Sequence, residues 1–85
     1  MANYKVEIKR SAAKELEQLP PKERARVVTR IQTLATDPRP PGAEKLSGQE
    51  RYRVRQGNYR ILYEIHDALV VVIVVKIGHR RDVYR

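Results

Sequence analysis

The unbroken apolar run Leu69-Val70-Val71-Val72-Ile73-Val74-Val75 constrains this chain more than any other stretch. It is far short of the roughly 20 apolar residues that a membrane-spanning helix requires, so it reads as a buried strand. Arg53, Arg55, Arg60, Arg80 and Arg81 flank this run or the strand-like stretches that lead into it. The run reads as the scaffold and the arginines as the working surface.

Length and charge narrow the function. A chain of 85 residues has room for one domain, spanning 1–85, and one small core. Its formal net charge of +8 favours a polyanionic partner, because basic groups that neutralise phosphates release condensed counterions. Nucleic acid is the first candidate, and a generally basic surface is the competing explanation. There is no cysteine, which removes disulfides and Cys-based metal sites and leaves the fold to stand on packing. The N-terminal Met1-Ala2-Asn3-Tyr4-Lys5-Val6 lacks the apolar centre of a signal peptide, so a cytoplasmic protein with no membrane partner is expected.

Tyr4-Lys5-Val6-Glu7-Ile8-Lys9 alternates apolar and charged residues, as a strand with one buried face requires. Ser11 is placed to cap a helix in which Ala12, Ala13, Leu16 and Leu19 recur at helical spacing until Pro20-Pro21 ends it. Pro21 is suited to open a second helix, with Ala25, Val28, Ile31, Leu34 and Ala35 as its apolar stripe and Lys22, Arg24, Arg26 and Arg30 as a solvated face. The prolines of Asp37-Pro38-Arg39-Pro40-Pro41-Gly42 predict a loop that continues through Gly48. Tyr52-Arg53-Val54-Arg55 alternates again, and Gln56-Gly57-Asn58 allows a tight reversal. Tyr59, Ile61, Tyr63 and Ile65 then alternate with Arg60, Leu62, Glu64 and His66 before a second reversal at Asp67-Ala68. The predicted architecture is α+β: an N-terminal strand, a helical hairpin and a three-stranded antiparallel meander, with the first strand at one edge and the helices on one face.

If Tyr52, Val54, Tyr59, Ile61, Tyr63 and Ile65 face the helices, the pleat sends Arg53, Arg55 and Arg60 together to the open face. Counting back from an outward Lys76 places Val70, Val72 and Val74 on that face too. An apolar strip beside a basic cluster is covered either by a partner protein or by the chain itself.

Several guanidiniums around one phosphodiester can stabilise the extra negative charge of a pentacoordinate transition state, and a tyrosine can stack on an unpaired base. Those parts suit cleavage of RNA through its own 2′-hydroxyl. No Asp, Glu or His cluster has metal-ligand spacing, so neither a metal nor a cofactor is expected. Arginine holds its proton too tightly to act readily as a base. His79, with an ordinary pKa near 6.5 and with Arg80 and Arg81 favouring its neutral form, is the candidate proton carrier. Water carrying protons in a purely electrostatic site is the other possibility. His66, beside a turn, reads as structural or solvated.

Lys45-Leu46-x-Gly48, Tyr52-Arg53-Val54-Arg55, Gly57-Asn58-Tyr59-Arg60-Ile61-Leu62-Tyr63, the valine-rich run and Gly78-His79-Arg80-Arg81-Asp82-Val83-Tyr84, in that order, resemble RelE-type toxins of the RelE/ParE superfamily. The resemblance covers essentially the whole chain. It implies a RelE-like, microbial-ribonuclease-like fold and a toxin of a type II toxin–antitoxin system. That toxin would enter the ribosomal A site and cleave mRNA there without a metal, leaving a cyclic 2′,3′-phosphate and a 5′-hydroxyl. Carried over by position, Arg53 and Arg55 stand where the family has two basic residues, usually lysines, the second assigned as general base. Arg60 matches the arginine that stabilises the transition state, Arg80 the one that serves the leaving oxygen, and Tyr84 the tyrosine that stacks on the codon. Lys45, Arg81 and Arg85 are assigned as further contacts to RNA or the ribosome. A lysine replaced by arginine at position 55 leaves the base open between His79 and water. A cognate RelB-like antitoxin is the implied partner beside mRNA, ribosomal RNA and the ribosome, with operator DNA reached only through the antitoxin complex. Two other functions fit a basic chain of this kind: inhibition of DNA gyrase in the manner of ParE, and RNA binding without cleavage.

Overall fold

The computed structural model describes residues 3–46 and 50–79. Seven regular elements follow in order: β1 (Lys5–Ile8), α1 (Arg10–Glu17), α2 (Pro21–Thr33), β2 (Glu44–Lys45), β3 (Arg51–Gln56), β4 (Tyr59–His66) and β5 (Val71–His79). The strands form one sheet in the order β1-β5-β4-β3-β2, in which β1 runs parallel to β5 and the other neighbours are antiparallel. The α+β architecture, the helical hairpin and the meander agree with the sequence pattern. Among the described residues no helix is long and apolar enough to cross a membrane.

The core lies between the sheet and the helices. Val54, Ile61, Tyr63, Val72, Val74 and Ile77 from the sheet meet Ala12, Leu19, Val27, Ile31 and Leu34, all buried. Five local features depart from the sequence pattern. Helix α1 starts at Arg10 with extended Lys9 as its N-cap, so Ser11 sits inside the first turn and provides no side-chain cap. The buried stripe of α2 runs through Val27, Ile31 and Leu34 rather than Ala25, because turning the helix that way buries a valine in place of an alanine. Glu44 and Lys45, expected in a loop, form a short edge strand opposite Arg53 and Tyr52. Leu69 is not in the strand. Asp67–Leu69 is one turn of 3₁₀ helix that leaves Leu69 73% exposed, and Val70 takes a left-handed conformation at φ 56 before β5 begins.

The fifth departure changes which residues face out. Between the pairs Leu62↔Lys76 and Tyr63↔Val74 the register shifts, so Val75 is an extra residue on β5, a bulge. One extra residue inverts the side-chain alternation beyond it. Val72 and Val74 therefore pair with Ile65 and Tyr63 and are fully buried beneath the helices, while Val71 and Ile73 take the open face opposite His66 and Glu64. Strand β1 pairs only as far as Val74, and beyond that point Glu15 of α1 covers the edge of β5. Its carboxylate accepts from the Ile77 amide at 3.0 Å and from Lys76 Nζ at 3.1 Å.

Candidate active site

Arg53 and Arg55 alternate with Tyr52 and Val54 along β3, and Arg60 sits between Tyr59 and Ile61 on β4. The two-residue turn Gly57-Asn58 sets the register, with Gly57 at the positive φ of 60 that such turns need. Burial of Tyr52, Val54, Ile61 and Tyr63 against the helical layer then turns the three arginines to the face opposite the helices. Arg55 stands directly opposite Arg60. Like charges directly opposite each other are destabilising, a local conflict of the kind found at functional positions. On the other side Arg60 faces Gly78, which has no side chain to crowd the guanidinium.

These side chains surround a cavity of about 380 Å³ lined by Gly42, Glu44, Arg53, Arg55 and Arg60. Arg60 is 6% exposed, the one charged residue that is buried among those described. A guanidinium does not shed its charge, so burial there keeps a fixed cation in surroundings that screen it poorly. The Glu44 carboxylate is ion-paired to Arg53, its partner across β2 and β3. Gly42 forms the rim with φ +91, where a side chain would be strained. Among the described lining residues three guanidiniums stand with one carboxylate, a set that suits a phosphate group.

The cavity unites Arg53, Arg55 and Arg60 of the residues singled out in the sequence. His79 lies elsewhere. It pairs with Tyr59 and sets its ring edge-on to that tyrosine, with centroids 5.9 Å apart at 81°, on the side-chain parity of the core. Lys45 shares the parity of Tyr52, is half exposed, and lies 3.9 Å from the Glu50 carboxylate. Arg80, Arg81, Tyr84 and Arg85 lie outside the described residues. Glu44 and Gly42 were missed in the sequence, since nothing in a proline-rich loop reveals that its end pairs with Arg53. Among the described residues no group of three or more His, Asp or Glu side chains could hold a metal ion.

A family profile described as the ParE toxin of the type II toxin–antitoxin system parDE matches residues 6–84. The chain belongs to the RelE/ParE family of type II toxins. Toxin RelG of Mycobacterium tuberculosis is 34% identical to this toxin over 86 residues, covering 96% of this chain and 97% of RelG. Among solved structures, the toxin–antitoxin complex RelBE2 from Mycobacterium tuberculosis superposes with a TM-score of 0.85 at 30% identity, over 96% of this chain and 97% of that one. The archaeal RelE–RelB complex from Pyrococcus horikoshii OT3 gives 0.84 at 28% identity, over 94% and 98%. These relatives place the toxin with the RelE type, as its motifs indicated.

Proposed function

We propose that this toxin is a ribosome-dependent endoribonuclease that cleaves mRNA in the A site. The observation that carries the reading is the convergence of Arg53, Arg55 and Arg60 on one cavity. In the reaction the 2′-hydroxyl oxygen bonds to the adjacent phosphorus and the bond to the 5′-oxygen breaks, giving a 2′,3′-cyclic phosphate and a 5′-hydroxyl. Negative charge grows on the non-bridging oxygens as phosphorus becomes pentacoordinate. Arg60, fixed by burial, and Arg53, held by Glu44, are preorganised to meet that charge. Arg55 adds a third cation from the strand opposite.

The 2′-hydroxyl must lose a proton and the 5′-oxygen must gain one. Arg55 is a poor acceptor. Glu44 is the carboxylate lining the cavity and is the acceptor in this reading. His79, across the sheet with Tyr59, is left out of the proton path. By family resemblance Arg80 serves the leaving oxygen, Tyr84 stacks on the codon, and Lys45, Arg81 and Arg85 contact RNA or the ribosome. The solved relatives from Mycobacterium tuberculosis and Pyrococcus horikoshii are toxin–antitoxin complexes, which supports a RelB-like antitoxin as the partner of this chain.

The test is cleavage of an mRNA on a programmed ribosome with an empty A site, with the ends mapped. The expected cuts fall in the A-site codon and leave 5′-hydroxyl ends, Arg60→Ala slows them about 10²–10³-fold, and Glu44→Gln slows them about 10²-fold or more. His79→Ala is expected to cleave at the native rate; a large loss would return the proton work to the histidine. Ribosome binding without any cleavage by the unaltered protein would sink the nuclease reading. The family profile carries the name of ParE toxins, so gyrase inhibition is the second reading, and a supercoiling assay exposes it.

A further inference from the structure

The wall of the cavity that carries Glu44 is weakly supported by its own strand. Strand β2 has two residues, paired to the sheet as Glu44↔Arg53 and Lys45↔Tyr52. Pairing that short does not fix an edge on its own. The proline-rich segment in front of it is, by contrast, tied down at several points. Tyr63 Oη, buried in the core, donates to the Pro38 carbonyl at 2.8 Å. One residue on, Arg39 donates to both carboxylate oxygens of Asp67, at 3.3 and 2.9 Å, and through Nε to Tyr52 Oη at 3.2 Å. Its guanidinium lies 5.3 Å from the centre of the Tyr52 ring, which itself stacks on Tyr63. Tyr4 Oη completes the group by donating to Asp67 Oδ1 at 2.7 Å.

Asp67 belongs to the turn between β4 and β5 and Tyr4 precedes β1, so the latch ties that turn and the lead into β1 to the loop. Exposed ion pairs are usually worth little. The exceptions are bidentate arginine–carboxylate pairs within a network, and Arg39 is also stacked on an aromatic ring. From Arg39 the chain reaches Gly42 and Glu44 in five residues, with the Ala43 amide donating to the Pro40 carbonyl at 3.0 Å and the Leu46 amide to the Arg51 carbonyl at 2.8 Å.

We infer that Arg39, Asp67 and Tyr4 are positioning residues: their latch sets the proline-rich loop, and through it the place of Glu44 beside Arg53 at the cavity. The inference rests on the nuclease reading for its effect on rate, but its geometric part stands apart from that reading. None of the three side chains lines the cavity.

Two measurements on the full-length protein decide it. Arg39→Ala and Asp67→Asn are expected to speed hydrogen exchange at the Ala43 and Leu46 amides. On programmed ribosomes they should lower kcat about 10- to 100-fold, the scale of a misplacement near 1 Å, with KM and its salt dependence nearly unchanged. Arg39→Lys keeps the charge but loses the planar fork, so it should behave like Arg39→Ala. Wild-type kcat in Arg39→Lys, or a raised KM in place of a lowered kcat, would mean that Arg39 acts as an RNA-binding charge and would overturn the latch. Unchanged exchange at Leu46 in both Arg39→Ala and Asp67→Asn overturns it whatever the protein cleaves. Faster exchange in a protein that cleaves no RNA supports the latch and refutes only the nuclease.

Discussion

The hairpin of β3 and β4 has two faces made from alternate residues of one short stretch, and they obey different rules. Toward the helices, Val54, Ile61 and Tyr63 are at most 1% exposed, and Tyr52 and Tyr59 pack beside them. Toward the other side, Arg51, Arg53, Arg55, Arg60, Glu64 and His66 occupy the same backbone at the intervening positions, with Leu62 the one apolar residue among them. The first face is set by removal of apolar surface from water, and the fold could not form without it. On the second, Arg55 stands opposite Arg60, a like-charge placement that packing does not call for. In the proposed function its arrangement answers to the phosphate of the RNA.

That contrast fixes what substitutions should do. Ile61→Ala, at a fully buried position, should cost about 2–5 kcal/mol of unfolding free energy by chemical denaturation, while the folded fraction keeps its cleavage rate. A cost below 1 kcal/mol would mean that the helix-covered face is not the core of the fold. Arg60→Ala, one residue away, should do the reverse and act chiefly on the rate.

Tyr63 gives the next largest effect. Burial pushes its hydroxyl up to about 12, above the ordinary value of about 10. The folded state therefore prefers the neutral phenol. This contribution is complete below pH about 10 and is lost as pH rises from there toward about 12. Unfolding free energies measured from neutral pH upward should fall over that window, and in Tyr63→Phe the fall should be shallower. The variant starts lower, having lost the bond to the Pro38 carbonyl. Equal slopes in the two proteins would place the alkaline sensitivity elsewhere.

How far the sequence reveals this molecule follows from the same contrast. Where apolar and charged residues alternate, as in Tyr52-Arg53-Val54-Arg55, side-chain parity is visible and the arginine face is correctly read. Where the run is apolar throughout, from Leu69 to Val75, parity leaves no trace. Neither the bulge at Val75 nor the escape of Leu69 into a turn could then be seen, and Val72 and Val74 are assigned to the wrong face. Glu44 was hidden for another reason. Its place depends on pairing with a strand several residues later and on Arg39 holding Asp67, contacts between distant parts of the chain that no local pattern encodes.

The smallest expected effect is the sharpest test of the comparison. Arg55 is exposed, lines the cavity and stands directly across from Arg60. On the core face of the same strand every truncation should destabilise. Arg55→Gln keeps most of the side chain's length and can still hydrogen-bond, but it ends the like-charge opposition, so unfolding free energy should rise by about 0.2–1 kcal/mol. Cleavage should fall at the same time, because one of the guanidiniums facing the phosphate is gone. Added salt separates the causes, since screening weakens the repulsion and should shrink the stability gain as ionic strength increases. A variant that is both less stable and less active would make Arg55 an ordinary supporting residue. A gain in stability paired with a loss of rate would show that the open face is held together against its own charge, for the sake of the anion it receives.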